Sequence, residues 1–508
     1  MQCIISRRRD SLSIGSFGCV YAMWYDVMVK KQIVRFKLMD DKERQQYIKM
    51  TKVPPAKLIT GLAIPAVISM LTTMIYNLVD AFFVGRLGTS ASAAIGIIMS
   101  LQAIFQAAGF MFGHGTGSII GRKLSEARTE EANRFLTLAI MGGITLGSVM
   151  MVVGLAFRTP LVYMLGSTDT IMPYARKYAF YILLSGPAMM SGCILNNVMR
   201  YEGKAFYAMI GLVSGGIINM IADPVFMFGL KMGIDGAGLS TAISQYISCF
   251  LLLSMFLTGK TITKFSFNGL LKDKKAVFTD ILLIIKTGIP SLIRQGLGSI
   301  STITLNICAG PYGDPAIAGM TIAGRVMLFM GSVMIGVGQG LQPVSAFNYG
   351  AKKYKRLRES FRFTWLAGTL LMIIMGTCGW IFSDHIVRIF IEDPDPAMIK
   401  QTLVYGTPAL KCMCIAVIVQ PLSIITNMLF QSVGKSKNAA ILATLRSGTC
   451  YIPVLLILPC FIGFAGIQAA QMIADMLASL ICIPFVIRFM KEIPAEDVLT
   501  DMDRAYMG

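Results

Sequence analysis

Long apolar runs without a charged side chain constrain the fold of this sequence more than any other feature. Residues 135–157, 239–257 and 365–382 contain no Asp, Glu, Lys or Arg. Each run approaches or exceeds the roughly 20 apolar residues that cross the hydrocarbon core of a bilayer as a helix. Only 14% of the chain is charged, against about 25% of a typical soluble domain. The sequence therefore predicts an integral membrane protein.

Apolar segments of similar length recur over most of the chain. They are too long and too continuously apolar for the strands of a membrane barrel, and an open sheet edge cannot be satisfied in lipid. We therefore predict an all-α membrane protein with about twelve transmembrane helices. The expected spans lie near residues 57–84, 93–120, 135–157, 174–199, 205–229, 237–258, 280–309, 317–346, 361–382, 400–430, 438–461 and 466–490.

The distribution of basic residues indicates an orientation. Lys and Arg occupy every second connection between the expected spans, whereas the other connections carry more Asp and Glu. Because loops rich in Lys and Arg stay in the cytoplasm, both termini are expected to be cytoplasmic, and an even number of helices agrees with this.

Landmarks in the two halves recur at a nearly constant separation, which predicts an internal duplication. The expected result is two six-helix lobes related by a pseudo-twofold axis along the membrane normal, with a site between them. The pairs, separated by 225 to 231 residues, are Ile64-Pro65 with Ile289-Pro290, Gly121 with Gly350, Gly203-Lys204 with Gly434-Lys435, and Gly236 with Gly466.

This repeat divides the chain into an N-lobe at residues 51–258, a cytoplasmic linker at 259–276, a C-lobe at 277–492 and a polar cytoplasmic tail at 493–508. Residues 1–50 do not fit the pattern. Their weakly apolar patch lacks the solid apolar core and the cleavage site of a signal peptide. We expect a disordered extension, or a spurious one with Met39 as the true start.

Two isolated aspartates are the strongest functional signal. Asp80 is the only charged residue between Leu58 and Gly85, and Asp223 lies alone between Lys204 and Lys231. An aspartate in the hydrocarbon core costs roughly 2.5 to 3.5 kcal/mol even on a lenient scale, and such residues usually face a cavity on an ion or proton pathway. A carboxylate that exchanges a proton for another cation is the physical basis of an antiporter.

Oxygen-bearing side chains accompany the second aspartate. Asn219 lies four residues before Asp223, so both occupy one helical face, and Pro224 frees a backbone carbonyl because it donates no N–H. Thr241 in the next helix and Asn196 in the preceding one add a hydroxyl and an amide. These are hard oxygen ligands, suited to a small cation or to a proton-linked network. Each polar residue taken singly also fits an ordinary interhelical hydrogen bond.

The C-lobe carries cations instead. Arg294, Arg325, Lys411 and Arg446 lie in apolar surroundings, and Asp475 lies in the last span. Stabilising pairs or snorkelling explain them slightly better than substrate binding. His114 titrates near neutral pH in water, but its position between two glycines equally fits a close helix contact.

Several function classes are excluded. The net charge of +19 falls in short loops without the interleaved aromatic residues typical of nucleic-acid binding. Two histidines and no CxxC pair leave neither an enzyme site nor a zinc site. The sequence contains no GxxxxGK[ST] phosphate loop, which argues against direct use of ATP.

The sequence resembles the multidrug and toxic compound extrusion (MATE) family, in particular its DinF-like bacterial branch. The resemblance covers essentially residues 57–490, at twelve-helix spacing. It depends on Asn77-Leu78-Val79-Asp80 with Phe83 to Gly88, on Gln339-Gly340-Leu341-Gln342-Pro343 with Asn348 to Ala351, and on Asn219 with Asp223-Pro224.

The resemblance implies a V-shaped pair of lobes in a bacterial inner membrane that exports amphipathic, often cationic compounds in exchange for H+ or Na+. In that branch, the residue that matches Asp80 couples transport to protonation. A cation site, in some members for Na+, is formed by residues that match Asn219, Asp223 and Thr241, with Asn196 in an adjacent polar network. We expect a monomer surrounded by lipid, without nucleic acid or a cofactor other than the coupling ion.

Other functions remain open at this stage. Arg294, Arg325, Gln339 and Gln342 are assigned to a candidate substrate cavity. A cationic cavity is also compatible with a flippase for a lipid-linked oligosaccharide, for which extra helices are expected, or with an exporter of one specific metabolite. A membrane receptor or scaffold is disfavoured because the sequence lacks a large cytoplasmic domain.

Overall fold

The fold is entirely helical over the residues that the structure describes. A computed structural model describes residues 41–267, 274–391, 396–498 and Asp503. Its helices are α1 Asp41–Lys52, α2 Pro55–Gly85, α3 Thr89–Ser125, α4 Thr129–Ala156, α5 Arg158–Met164, α6 Met172–Tyr201, α7 Ala205–Pro224, α8 Ile234–Leu257, α9 Lys274–Ala309, α10 Asp314–Gly350, α11 Tyr354–Ile381, α12 Ser383–Ile389, α13 Pro396–Ser432, α14 Ser436–Thr444, α15 Tyr451–Ile462 and α16 Phe464–Glu492.

Twelve spans in this described part are long and apolar enough to cross a membrane, as predicted. Two of them are continued by π-helical turns, Val225–Gly229 after α7 and Leu445–Thr449 between α14 and α15. The short helices α5 and α12 occupy equivalent places after the third span of each half. The chain is therefore a multi-pass membrane protein with a repeated order of helices.

The two halves form lobes with the same internal packing. In the N-lobe α6 packs against α3, α4 and α8, and in the C-lobe α13 packs against α10, α11 and α16. A pair of hydrogen bonds repeats with the frame: Asn196 Nδ2 donates to the Ala208 carbonyl at 2.8 Å, and Asn427 Nδ2 donates to the Ala439 carbonyl at 2.7 Å. Both residues of each bond are separated from their counterparts by 231 positions, so the predicted duplication is confirmed.

The lobes meet along α2 with α10 and α3 with α9. Two glycines allow this approach, since a Cβ on Gly288 would lie 1.8 Å from the Met111 carbonyl oxygen, and one on Gly340 would lie 2.8 Å from the Ala63 Cα. These contacts lie in the halves of the helices that lead to the basic loops, which we call the basic side. Away from the basic side, fewer residues of α2 are buried: seven of its nine buried residues lie between Leu58 and Ser69, in the half nearest the basic loops. The lobes are therefore packed most closely on the basic side.

The first helix differs from the sequence prediction. Residues 41–50, expected to belong to a disordered or spurious extension, lie in α1, where Gln46, Tyr47 and Met50 are buried. Gln46 Nε2 donates to the Glu202 carbonyl at 2.5 Å in the N-lobe, and Asn348 Nδ2 of the C-lobe donates to the Met50 carbonyl at 3.2 Å. The prediction is therefore wrong for residues 41–50, because α1 is stabilised by contacts with both lobes. Residues 1–40 lie outside the described residues.

The connection between the lobes is fixed where the structure describes it. Glu202 accepts hydrogen bonds from the backbone N–H groups of Ile262 at 2.8 Å and Thr263 at 3.1 Å. Residues 268–273 of the predicted linker and most of the predicted tail, residues 499–502 and 504–508, lie outside the described residues. In the tail, Asp503 pairs with Lys353 at 2.7 Å.

Candidate functional site

Asp223 lies at the end of α7, where the backbone changes from an α-helix to a π-helical turn. Pro224 follows it, and the π-turn Val225–Gly229 comes directly after. Local π-turns inside longer helices occur frequently at functional sites. The side chain of Asp223 is fully buried and faces α8. The sequence therefore places a carboxylate at a local irregularity in the middle of the N-lobe.

The neighbours of Asp223 satisfy only one of its two oxygens. Ser240 donates a hydrogen bond to Asp223 Oδ1, and Asn219 Nδ2 donates to the same oxygen at 3.2 Å. The Asn219 amide nitrogen also lies 3.4 Å from Thr241 Oγ1. The structure thus brings together Asn219, Asp223 and Thr241, as the sequence predicted, and it adds Ser240.

Two buried oxygens of this cluster have no hydrogen-bond partner among the described residues, namely Asp223 Oδ2 and Asn219 Oδ1. Buried polar atoms are nearly always hydrogen-bonded, so each exception calls for a physical explanation. A carboxylate oxygen and an amide oxygen attract a cation or, in the case of the carboxylate, a proton. The chemistry of the cluster is therefore that of a small cation site.

Asp80 lies close to this cluster on α2. Its side chain is 9% exposed, and the Tyr178 hydroxyl is 3.4 Å from Asp80 Oδ2. Asp80 Oδ1 has no partner within the described part of the chain. Asp80 and Asp223 are near enough for their charges to interact. Neither carboxylate forms an ion pair with any residue that the structure describes. Both therefore lack a neutralising basic side chain among these residues.

A cavity of about 190 Å³ adjoins the cluster inside the N-lobe. Asn219 and Thr241 form part of its wall, so the polar cluster borders this space. A cavity of that size is large enough for several water molecules. The remaining polar lining is uncharged and comprises Thr73, Tyr76, Asn77, Gln102, Gln106, Ser244, Gln245 and Ser248.

The sequence analysis missed most of that polar lining, together with Tyr178 and Ser240. One signal was available, because Gln102 and Gln106 are four residues apart within a span that contains no charged residue. This spacing places both amides on one face of α3. Ser240 and Tyr178 gave no comparable signal because hydroxyl side chains are common in membrane helices.

The described hydrogen bond of Asn196 joins two helices of the N-lobe. Its amide donates to the Ala208 carbonyl and joins α6 to α7. Its described hydrogen bond does not reach Asp80, Asn219, Asp223 or Thr241. Because Asn427 makes the same bond in the C-lobe, the geometry of Asn196 is that of an interhelical contact repeated in both lobes.

The four residues assigned to a substrate cavity are not brought together by the described contacts. Arg294 is half-buried, whereas Arg325 is exposed. Gln339 is buried, with its amide nitrogen 3.9 Å from Met70 Sδ of α2. Gln342 is also buried, and its amide nitrogen has no partner among the described residues. The two glutamines thus lie in the close-packed half of α10.

The C-lobe contains a buried carboxylate of another kind. Asp475 is fully buried; its Oδ1 accepts from Arg446 Nε at 3.1 Å, and its Oδ2 accepts from Gln420 and Gln471, each at 3.1 Å. Both oxygens are therefore satisfied, as expected for a stabilising pair. The described residues contain no group of three or more His, Cys, Asp and Glu side chains that could hold a metal ion.

Comparisons with known proteins agree with this architecture. The MatE family model matches residues 65–225 and 290–457, one block in each lobe. The multidrug export protein MepA of Staphylococcus aureus is 26% identical over 440 residues, which cover 86% of this chain and 95% of MepA. MepA of Staphylococcus haemolyticus is 27% identical over 414 residues, covering 81% of this chain and 89% of the relative.

A solved structure of a multidrug resistance MATE family transporter in an outward-facing conformation superposes with a TM-score of 0.81 at 21% identity, covering 88% of this chain and 98% of that one. A MOP superfamily transporter from Pyrococcus furiosus, described as having a binding pocket of reverse polarity, gives a TM-score of 0.82 at 21% identity with the same coverage. At this level of identity the two structures establish the two-lobed fold.

Proposed function

The chain belongs to the MATE family of membrane transporters, and we propose that it exports amphipathic, often cationic compounds in exchange for H+ or Na+. Family membership and the multidrug export relatives support small-molecule export. The coupling to an inward-moving cation is supported by the N-lobe site of this chain.

One observation carries the coupling proposal: Asp80 and Asp223 are buried carboxylates without a cationic partner among the described residues. A buried charge that stays uncompensated costs several kcal/mol. Binding of a proton or a cation removes that cost. Release of the bound cation restores it, so occupancy of the site changes the energy of the N-lobe.

The ligands are compatible with either ion. Asp223 Oδ2, Asn219 Oδ1 and the Thr241 hydroxyl offer hard oxygen atoms of the type that binds Na+. A proton on Asp80 or Asp223 would neutralise the same charge without requiring further ligands. The adjoining cavity gives either ion a polar route to the cluster.

The close packing on the basic side indicates the side of the membrane toward which this conformation opens. The positive-inside rule assigns the basic loops to the cytoplasm, which makes the present conformation closed to the cytoplasm and open outward, with both termini inside. In such a state an external cation enters the N-lobe and a bound compound leaves the cleft. Because a ligand shifts a conformational equilibrium only by its differential affinity for the two states, cation and compound must favour opposite states.

Proteoliposomes test the proposal directly. An ethidium-like dye should be transported against its gradient when either a pH gradient alone or a Na+ gradient alone is imposed, and the effective gradient identifies the ion. Correctly inserted Asp80→Asn and Asp223→Asn variants should lose this transport. Full-rate transport by both variants, or transport without any ion gradient, would refute the proposed exchange. A positive lipid-flipping assay without an ion gradient would instead favour the flippase.

A further inference from the structure

A second polar cluster lies where the lobes meet on the basic side. His114 of α3 is 1% exposed, and its Nδ1 lies 3.1 Å from Ser291 Oγ of α9. Gln431 of α13 donates to the same Ser291 hydroxyl at 2.8 Å. The His114–Ser291 contact joins the N-lobe to the C-lobe through polar side chains, and Gln431 extends it into the C-lobe.

Two arginines flank this bridge. Arg200 is 5% exposed and donates to Asn197 Oδ1. Arg294 lies three residues after Ser291, so the two share a face of α9, and it is near enough to Arg200 and His114 for charges to interact. We call His114, Arg200 and Arg294 the interlobe basic cluster.

The donors of this cluster exceed the acceptors around it. Arg200 Nε and Nη1 and His114 Nε2 are buried and have no hydrogen-bond partner among the described residues. No ion pair joins Arg200 or Arg294 to a carboxylate among the described residues. A buried cation without a counter-charge is costly, so the cluster is incomplete without an anion.

Snorkelling does not account for these arginines. The Arg200 donors are buried, and Arg294 lies near the midpoint of the Lys274–Tyr312 span. Arg446 provides an internal contrast, because it lies close enough to Arg294 for their charges to interact but is neutralised by Asp475. Of these three arginines, only Arg446 therefore has a carboxylate partner among the described residues.

Arg294 is half-buried, which makes it the most accessible member of the interlobe basic cluster. A guanidinium group is a planar fork that matches the two oxygens of a carboxylate or a phosphate. We propose that the interlobe basic cluster recognises an oxyanion, the carboxylate of a transported amphipathic compound, with Arg294 as the contacting residue. The substrates then include zwitterions, whose cationic part faces the acidic N-lobe. This inference rests on the proposed export function.

A matched pair of dyes tests the proposal: a rhodamine with a free benzoate and its methyl ester, which keeps the cationic ring system. Their affinities for the purified full-length protein in detergent are measured by fluorescence polarisation. The wild type should bind the free acid more tightly than the ester. Arg294→Gln should weaken binding of the acid about tenfold or more, the usual effect of losing a charge-assisted hydrogen bond, and should leave the ester within about twofold. Arg294→Lys should be intermediate because it keeps the charge but loses the fork.

The control variant is Arg488→Gln, which removes a guanidinium that is 84% exposed on the basic side and should change neither affinity. Equal losses for acid and ester, no loss for either, or a wild type that prefers the ester would overturn the proposal. The wild-type comparison remains decisive even if the Arg294 variants do not fold.

A second arm separates a transported carboxylate from a free anion. Acetate and inorganic phosphate are titrated against wild type and Arg294→Gln, with the melting temperature and dye displacement as readouts. Displacement of the free-acid dye, but not of the methyl ester dye, by acetate or phosphate supports the proposal. Stabilisation by either anion, with the two dyes binding alike, would assign the site to a free anion and overturn the substrate claim. Because binding requires no gradient, failure of gradient-driven ester transport would count against the export function alone.

Discussion

Each lobe contains a fully buried carboxylate, but the two carboxylates differ in their hydrogen-bond partners. In the C-lobe, both Asp475 oxygens accept hydrogen bonds, one of them from the Arg446 guanidinium. In the N-lobe, Asp223 Oδ2 has no partner among the described residues. Burial alone therefore does not separate the proposed coupling residue from the stabilising one. The number of hydrogen-bond partners of the carboxylate does separate them.

The internal repeat allows the N-lobe cavity to be compared with the corresponding place in the C-lobe. Gly215, Thr241 and Gln245 line the N-lobe cavity. At the offsets of the repeat, 231 positions in α7 and 230 in α8, their counterparts are Arg446, Gln471 and Asp475, that is, the two residues of the buried pair and one donor to it. A salt bridge thus occupies in the C-lobe the place that a polar cavity occupies in the N-lobe. The C-lobe carboxylate thus has a cation of its own, whereas the proposed role of the N-lobe carboxylate is to take one up.

The largest expected effect is on transport. Asp80→Asn and Asp223→Asn should abolish gradient-driven dye efflux, because an amide can neither accept the proton nor carry the charge that a cation neutralises. The free energy of unfolding should not fall, since no ion pair is lost and the neutral amide removes the cost of a buried, uncompensated charge. Efflux from proteoliposomes and chemical denaturation in detergent measure the two quantities. Strong destabilisation by Asp223→Asn would mean that the N-lobe carboxylate is structural, like Asp475.

The next effect is on stability and belongs to the C-lobe. Asp475→Asn leaves the Arg446 guanidinium without its counter-charge, so it should reduce the free energy of unfolding by about 3 to 5 kcal/mol. The double variant Arg446→Met with Asp475→Leu should cost clearly less, because no unpaired charge remains. A denaturation series on the single and double variants makes the comparison. A double variant as unstable as the single one would show that packing, rather than charge, decides this site.

A smaller effect distinguishes the two roles open to Asn196. Asn196→Ala and Asn427→Ala each remove one buried side-chain hydrogen bond and should each destabilise their lobe by about 1 kcal/mol. If Asn196 is only an interhelical contact, dye efflux per folded molecule should be equal in the two variants. A much lower efflux for Asn196→Ala alone would restore it to the coupling network that the sequence resemblance implies.

The smallest expected effect concerns the one described donor to Asp80. Tyr178→Phe removes the hydroxyl that lies 3.4 Å from Asp80 Oδ2, a long bond worth about 0.5 to 1 kcal/mol. Efflux should therefore change only a few-fold, with stability nearly unchanged. If Tyr178 only packs against its neighbours, the Tyr178→Phe variant will leave efflux unaltered. Complete loss of efflux would make the Tyr178 hydroxyl a direct part of the proposed cation site.

The sequence predicts the frame of the molecule and the centre of its site. Charge-free runs define the spans, and the four-residue spacing of Asn219 and Asp223 places both on one face. Contacts between distant segments are not predictable in this way. The burial of α1 depends on Glu202 and Asn348, far along the chain.

The side chains that pair with or donate hydrogen bonds to each carboxylate are likewise not predictable from the sequence. Arg446 and Asp475 are 29 residues apart on different helices, and their pairing depends on how those helices rotate against each other. Ser240 reaches Asp223 across 17 residues for the same reason. The repeat itself, however, offered an unused signal, because Asn196 and Asn427 are equivalent in sequence and make equivalent bonds.

The central claim is that a cation at the N-lobe site and a bound dye favour opposite states of the protein, and it is measured most directly by cation release on dye binding. Dye is added to purified protein in a weakly buffered detergent solution, and H+ and Na+ in the medium are recorded. The wild type should release on the order of one cation per bound dye, as reciprocal linkage requires, and variants lacking both Asp80 and Asp223 carboxylates should release none. Tight dye binding by the wild type without release of either ion would contradict the account.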